Sequence, residues 1–256
     1  MLPVWLTDTV TPDLSRAVHY TLLWGLEGVA LRTLGTAGSR VPFVNEAALR
    51  ARLDEAELPV SLVDPGLFEG PLAARAAWLN DADALAETLA FARRVGCSII
   101  QVGALAADVE GYDPAAAAAA LRPAAEAAAR AGVRLAVRNA AGSAVATGAD
   151  LAAVLAALAH PAAGADWHPA DALASGESPA EGLAALQATP GGIVAIGLDD
   201  AALAGGTDWG TVLQPLAAER WEGPLVLSVH GRPSGQAGLS ATAALLAARR
   251  KARSLA

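Results

Sequence analysis

An arginine closes the apolar stretch Leu135 to Arg138, with Asn139 and a loop of small residues behind it. Arginine carries a planar, permanently charged fork of donors that grips a carboxylate or phosphate at two points. At the end of a strand it is a cation delivered to a pocket. Asp166 and His168 stand two apart at the end of another apolar run. Residues two apart on a strand share a face. A carboxylate beside an imidazole is the pairing that orients a histidine for proton transfer near neutral pH. Asp64 and Gln101 end two further runs, Arg32 ends a third, and Ser228 and His230 end a fourth. The chemistry on offer is binding of an anion or polyol. Arg138, His168 and Asp166 are the catalytic candidates. Arg32, Asp64, Gln101, Asn139, Ser228 and His230 are the candidate ligand contacts, and Trp167 is the candidate pocket rim. A plainer reading stands beside this one: Arg138 pairs with Asp166 or Asp171 and plugs the mouth, because a buried charge is normally paired. His230 then reads as a solvated loop residue.

The elements that must hold these side chains follow from apolar patterning. Runs at 3–7, 28–32, 59–64, 98–103, 133–139, 163–167, 192–198 and 223–229 read as strands, mostly bounded by Gly or Pro. Helical patterns separate them. Thr11-Pro12, Asn45 and Asp113-Pro114 read as helix starts, and Gly96 and Gly132 as stops. Pro123 predicts a kink or a break in the alanine-rich helix that contains it. Eight strand–helix units over 256 residues predict an α/β fold, a (β/α)8 TIM barrel, as a single domain over 1–256. The loops at 35–39 and 231–238 then lie on the C-terminal face, where barrels build active sites. The first strand is not followed by G-x-G-x-x-G, which disfavours a dinucleotide-binding open sheet.

Bulk composition excludes several classes. Eighteen Lys and Arg against 26 Asp and Glu give a net charge of −8, opposite to what a phosphate backbone attracts, so no nucleic-acid partner is expected. The basic run Arg249-Arg250-Lys251 reads as a solvated last helical turn. Uninterrupted apolar runs long enough to span a membrane are missing, and "MLPVWLTD" does not read as a secretory leader. The single cysteine, Cys97, cannot form an internal disulfide and reads as a small buried residue, which suits the cytoplasm. A homo-oligomer is compatible with all of this.

Six segments in order, "GLEGVALR", "RRVGCSIIQVG", "RAGVRLAVRNAAG", "GADWHPADAL", "IVAIGLDDA" and "GTDWGTVLQPL…WEGPLVLS", resemble the xylose-isomerase-like TIM barrels. That family holds sugar-phosphate isomerases and epimerases, inosose dehydratases and apurinic endonucleases. The resemblance implies a divalent cation bound at the strand ends, and the positions that would bind it are changed. Arg138 stands where a glutamate ligand is expected and Ala140 where a histidine is. His168 replaces an aspartate before Pro169. Gly197 lies where the seventh strand offers histidines, Ser228 replaces a terminal glutamate, and Ala30 replaces a glutamate of the second strand. A hard cation prefers several carboxylates, and arginine repels it. The expectation is a divergent sugar isomerase/epimerase-like barrel without the metal site and without another cofactor. Mn, Mg or Zn belongs to it only if that reading fails. Its partner would be a small molecule, a sugar or sugar acid. An active isomerase or epimerase, metal-free or with a rearranged metal site, is the alternative. A non-catalytic descendant binding a metabolite or a protein is a further one.

Overall fold

The eight apolar runs become eight strands in the computed structural model, which describes residues 1–35, 38–109, 111–230 and 234–256. They are β1 (Leu2–Leu6), β2 (Gly28–Leu31), β3 (Val60–Val63), β4 (Ile99–Gly103), β5 (Arg134–Arg138), β6 (Ala163–Trp167), β7 (Ile193–Asp199) and β8 (Pro224–Ser228). Their order, β1–β8–β7–β6–β5–β4–β3–β2, closes a barrel. The pairs β1–β2, β1–β8, β3–β4, β4–β5, β5–β6 and β6–β7 run parallel. With helices between successive strands this is the (β/α)8 fold. The helices are α1 (Leu14–Trp24), α2 (Glu46–Glu55), α3 (Arg75–Arg94), α4 (Pro114–Ala131), α5 (Gly148–Leu158), α6 (Pro169–Ala174), α7 (Pro179–Gln187), α8 (Asp200–Ala204), α9 (Trp209–Ala218) and α10 (Gly235–Leu255). The chain's internal contacts separate two units, residues 1–61 with 197–256, and residues 62–196.

In the first unit, Trp5 of β1 faces α1. Its indole N–H donates to Thr21 Oγ1 at 2.8 Å, and its ring meets Trp24 edge-on at 4.8 Å. Burying a side chain of this kind stabilises by about 2–3 kcal/mol. A Cβ on Gly238 would collide with the Trp24 ring, so α10 needs glycine where that ring lies against it. The start of α1 differs from the Thr11-Pro12 expectation. Asp13 is the cap, accepting from Arg16 N–H, while Thr11 Oγ1 accepts from Asp13 N–H. The basic run near the C-terminus is not simply solvated. Arg249 pairs with Glu27 and Lys251 with Asp208. An antiparallel pair of two-residue strands, Thr33–Leu34 and Ser39–Arg40, follows β2. Thr36 and Ala37 of the 35–39 loop, and Gly231 to Pro233 of the 231–238 loop, lie outside the described residues.

In the second unit, α4 runs through Pro123 without breaking. Pro123 faces solvent, so the backbone groups that its ring leaves unpaired are hydrated rather than buried. Asn45 of the first unit and Asp113 of the second cap α2 and α4 as their spacing predicts. Thr147 and Asp150 form a capping box at α5, and Glu177 accepts from Gly148 and Ala149 N–H at the same helix end. This fixes the loop that follows β5.

Candidate functional site

The second unit brings the central candidates onto adjacent strands. Gly103 of β4 pairs with Arg138 of β5, and Arg138 with Asp166 of β6. Register partners in a parallel pair share a face. Trp167, one residue on, points the other way, onto α7 near Gly182, and is fully buried. It is a packing residue and not the pocket rim expected from the sequence, because strand alternation hands it to the helix layer. Arg138 and Asp166 therefore lie on the face away from the helices, with Gln101 two residues before Gly103. Beside Asp166 the β6–β7 register slips: Ala165 pairs with Ile193 but Asp166 with Ala195. Such a bulge re-aims side chains and favours functional ends of strands.

Asp166 is buried, with 1% of its side chain exposed, and its Oδ2 lies 3.3 Å from His168 Nε2. A protonated Nε2 donates to that oxygen, leaving Nδ1 for other chemistry. Asp166 Oδ1 has no hydrogen-bond partner. Arg138 is held loosely. Among the described residues its nearest carboxylate is Asp171 Oδ2 at 4.0 Å, and its Nε is buried without a partner. Of the two partners expected for a plug, Asp171 is the one found, beyond hydrogen-bonding distance.

Asn139 is a staple. It is fully buried, donates to the Ala146 and His168 carbonyls at 2.9 and 3.0 Å, and accepts from His168 N–H at 2.8 Å. Those bonds use most of its capacity, so it positions the His168 backbone and has little left for a ligand. Asp64 is buried and accepts from Gly66 N–H at 2.9 Å, which holds the turn after β3. Gln101 is buried and lines, with Arg138, a cavity of about 220 Å³. Glu69 and Ser143 also line it and were not anticipated. They sit on loops, where no periodicity marks a direction. Its floor is tight: a Cβ on Gly103 would run into the Phe68 carbonyl. Near the same strand end Tyr112 donates to the Ala104 carbonyl at 2.6 Å, and burial raises its hydroxyl above the ordinary tyrosine range.

The remaining candidates belong to the first unit. Arg32 Nε donates to Asp8 Oδ2 at 2.9 Å, and Asp8 is largely buried. Asp8 was missed in the sequence, although it lies two residues past Leu6 at the end of β1. Ser228 is buried at the end of β8. His230 does not share its setting, because the strand and its alternation stop at Ser228. His230 is exposed, and its N–H donates to Asp200 Oδ1 at 2.9 Å. Cys97 is buried, and loss of solvent pushes its thiol up to about 12, which suits an inert core residue.

A hard divalent cation takes several oxygen ligands. Among the described residues no three of His, Cys, Asp and Glu converge into a group able to hold a metal. The donors that meet are one carboxylate and one imidazole, with a guanidinium in register beside them. Two such donors are fewer than a hard divalent ion takes.

The family model described as xylose isomerase-like TIM barrel matches residues 20–251. A search of curated proteins returned no significant match. Among solved structures, a D-tagatose 3-epimerase-like protein is 14% identical with a TM-score of 0.82, over 98% of this chain and 97% of that one. An L-ribulose 3-epimerase is 17% identical with a TM-score of 0.79, over 100% and 98%. A D-allulose 3-epimerase from Methylomonas sp., in complex with D-allulose, is 13% identical with a TM-score of 0.78, over 98% and 97%. At such identities the likeness carries the fold alone. Among the described residues no helix is long and apolar enough to cross a membrane.

Proposed function

We propose, of a chain that belongs to the xylose isomerase-like TIM barrel family, that it binds a small anionic, carbohydrate-like ligand without a divalent cation, anchored by Arg138. One observation carries the reading. Arg138 lines the cavity at the ends of β4 and β5, its Nε lacks a partner, and its only ion pair among the described residues is a loose one. A tightly paired arginine would be structural; this one keeps its donors for a ligand. A carbohydrate-like ligand draws support from the sugar epimerases that share the fold and from the Methylomonas sp. enzyme's complex with D-allulose. The metal-free reading draws support from the donor chemistry at the strand ends. A cytoplasmic setting goes with it, on the single buried cysteine.

A second reading has its own observation. The Asp166–His168 pair, stapled by Asn139, is arranged for general acid–base work, with the carboxylate holding one imidazole nitrogen and freeing the other. Beside it Arg138 would stabilise an enolate formed next to a carbonyl. On this reading the protein is an isomerase or epimerase that moves a proton without metal.

Three measurements test both. Elemental analysis of the purified protein is expected to find no stoichiometric Mn, Mg or Zn; such a metal held at the strand ends defeats the metal-free reading. Titration with neutral sugars and sugar acids is expected to show binding of acids that Arg138→Ala abolishes. Turnover across the same panel, compared with His168→Ala, decides the second reading; turnover that survives the change removes His168 from catalysis.

A further inference from the structure

Two unsatisfied atoms of opposite kind stand on neighbouring strands. Arg138 Nε is a donor without an acceptor, and Asp166 Oδ1 is an acceptor without a donor, both shielded from solvent. Their residues are register partners of β5 and β6, on strands that run about 4.8 Å apart. They do not satisfy one another, since the Arg138 ion pair is with Asp171. Leaving such groups buried and unpaired costs free energy, and a ligand that supplies both missing partners recovers it.

We infer that this ligand is a hydroxy acid of the aldonate type, with its carboxylate on the Arg138 guanidinium and the adjacent hydroxyl donating to Asp166 Oδ1. The inference rests on the reading of Arg138 as an anion anchor and adds the second contact. Each alternative leaves something wrong. A neutral polyol leaves the Arg138 charge uncompensated. A dicarboxylate would set a second anion against Asp166. A phosphate dianion would meet one arginine with Asp171 and Glu69 close by. Because Asp166 Oδ2 is engaged by His168, Oδ1 is the oxygen left for one hydroxyl, reached when the side chains that shield it give way. The cavity of about 220 Å³ beside Arg138 suits a ligand of a few carbons, and Gln101 on its wall can meet a further hydroxyl; Asp166 is not part of that wall and adjoins it as the register partner of Arg138.

The test is calorimetric titration with D-gluconate against 2-deoxy-D-gluconate, glycerate against 3-hydroxypropionate, D-glucitol, and D-glucose 6-phosphate. At least one aldonate is expected to bind, about tenfold more tightly than its deoxy partner, the loss expected for one charge-assisted hydrogen bond. Asp166→Asn should shrink that ratio, and Arg138→Gln should remove the preference over D-glucitol. The ratio measured on the unaltered protein decides the matter even where Asp166→Asn does not fold. Deoxy acids binding as well as the aldonates, with Arg138→Gln still weakening both, overturn the hydroxyl contact and keep the anchor. Preference for D-glucitol or the phosphate over every aldonate overturns the ligand class. Binding indifferent to Arg138→Gln overturns the anchor itself.

Discussion

Arg32 and Arg138 both close barrel strands, one in each unit, and the two units hold them in opposite ways. After β2, Arg32 donates from Nε to a largely buried carboxylate, Asp8, at 2.9 Å. At the end of β5, the corresponding Nε of Arg138 is buried without a partner, and the carboxylate in reach, Asp171, stands at 4.0 Å on a half-buried side chain. The same residue type is thus a structural tie in one unit and a spare donor in the other. What decides is whether a neighbouring strand end supplies an acid at hydrogen-bonding distance. The turn after β1 does, through Asp8, whereas the acid on the strand next to β5, Asp166, is turned to His168.

The comparison can be broken in four ways, from the largest effect down. Asn139→Ala unpairs two carbonyls and an N–H around the Arg138 strand end, and should cost about 3 kcal/mol in denaturant unfolding. A cost near zero would mean that water replaces the staple and the strand end is not fixed by it. Next come the arginines' own partners. Asp8→Ala leaves Arg32 beside a lost charge and should cost about 2 kcal/mol, whereas Arg138→Ala should stay within about 0.5 kcal/mol. Equal losses would erase the contrast and make Arg138 a plug. Asp171→Ala sharpens it further: with its competitor gone, Arg138 should bind an acidic ligand about threefold more tightly, as befits a loose, partly exposed pair. Unchanged affinity together with lower stability would return Arg138 to the structural role.

The smallest effect concerns an ion pair on the first unit's surface. Hydrogen bonds from Lys251 and Thr211 hold the Asp208 carboxyl down at about 2. Its folded value lies below its unfolded one, so its contribution is complete above the unfolded value and fades as pH falls from about 4 towards 2. The melting temperature of Asp208→Asn should therefore lie slightly below that of the parent at pH 6, with the gap closing at pH 2.5 and narrowing in salt. A gap that widens in acid would contradict the pairing.

Much of the scaffold was legible in the sequence, and the reasons are local. The eight strands are apolar runs set between turn residues, and even the short alanine-rich run at 163–167 forms its strand. Asn45 and Asp113 cap helices because a side-chain oxygen three or two residues ahead of an N–H needs no tertiary help. Short helices such as α6 and α8 carry too few turns for periodicity to mark them, and the cap of α1 lay at Asp13 because Asp is a stronger cap than Thr. The site was legible in its residue types and less so in their partners. Asp166 and His168 meet although their strand ends at Trp167, because Asn139 holds the His168 backbone, whereas Ser228 and His230 part where their strand ends. Glu69, Ser143 and Asp8 reach their places through loops or strand ends that no pattern points along.

The sequence by itself determined a barrel of alternating strands and helices, and it placed an arginine at the end of the fifth strand. Both follow from the order of residues along the chain. Which arginine is tied and which is spare, that Asn139 is a staple, and that Trp167 packs on a helix were decided only by the tertiary structure. Those facts depend on register and on a bulge beside Asp166, which set distances between residues far apart in sequence. At these ranges an ångström separates a hydrogen bond from an open donor.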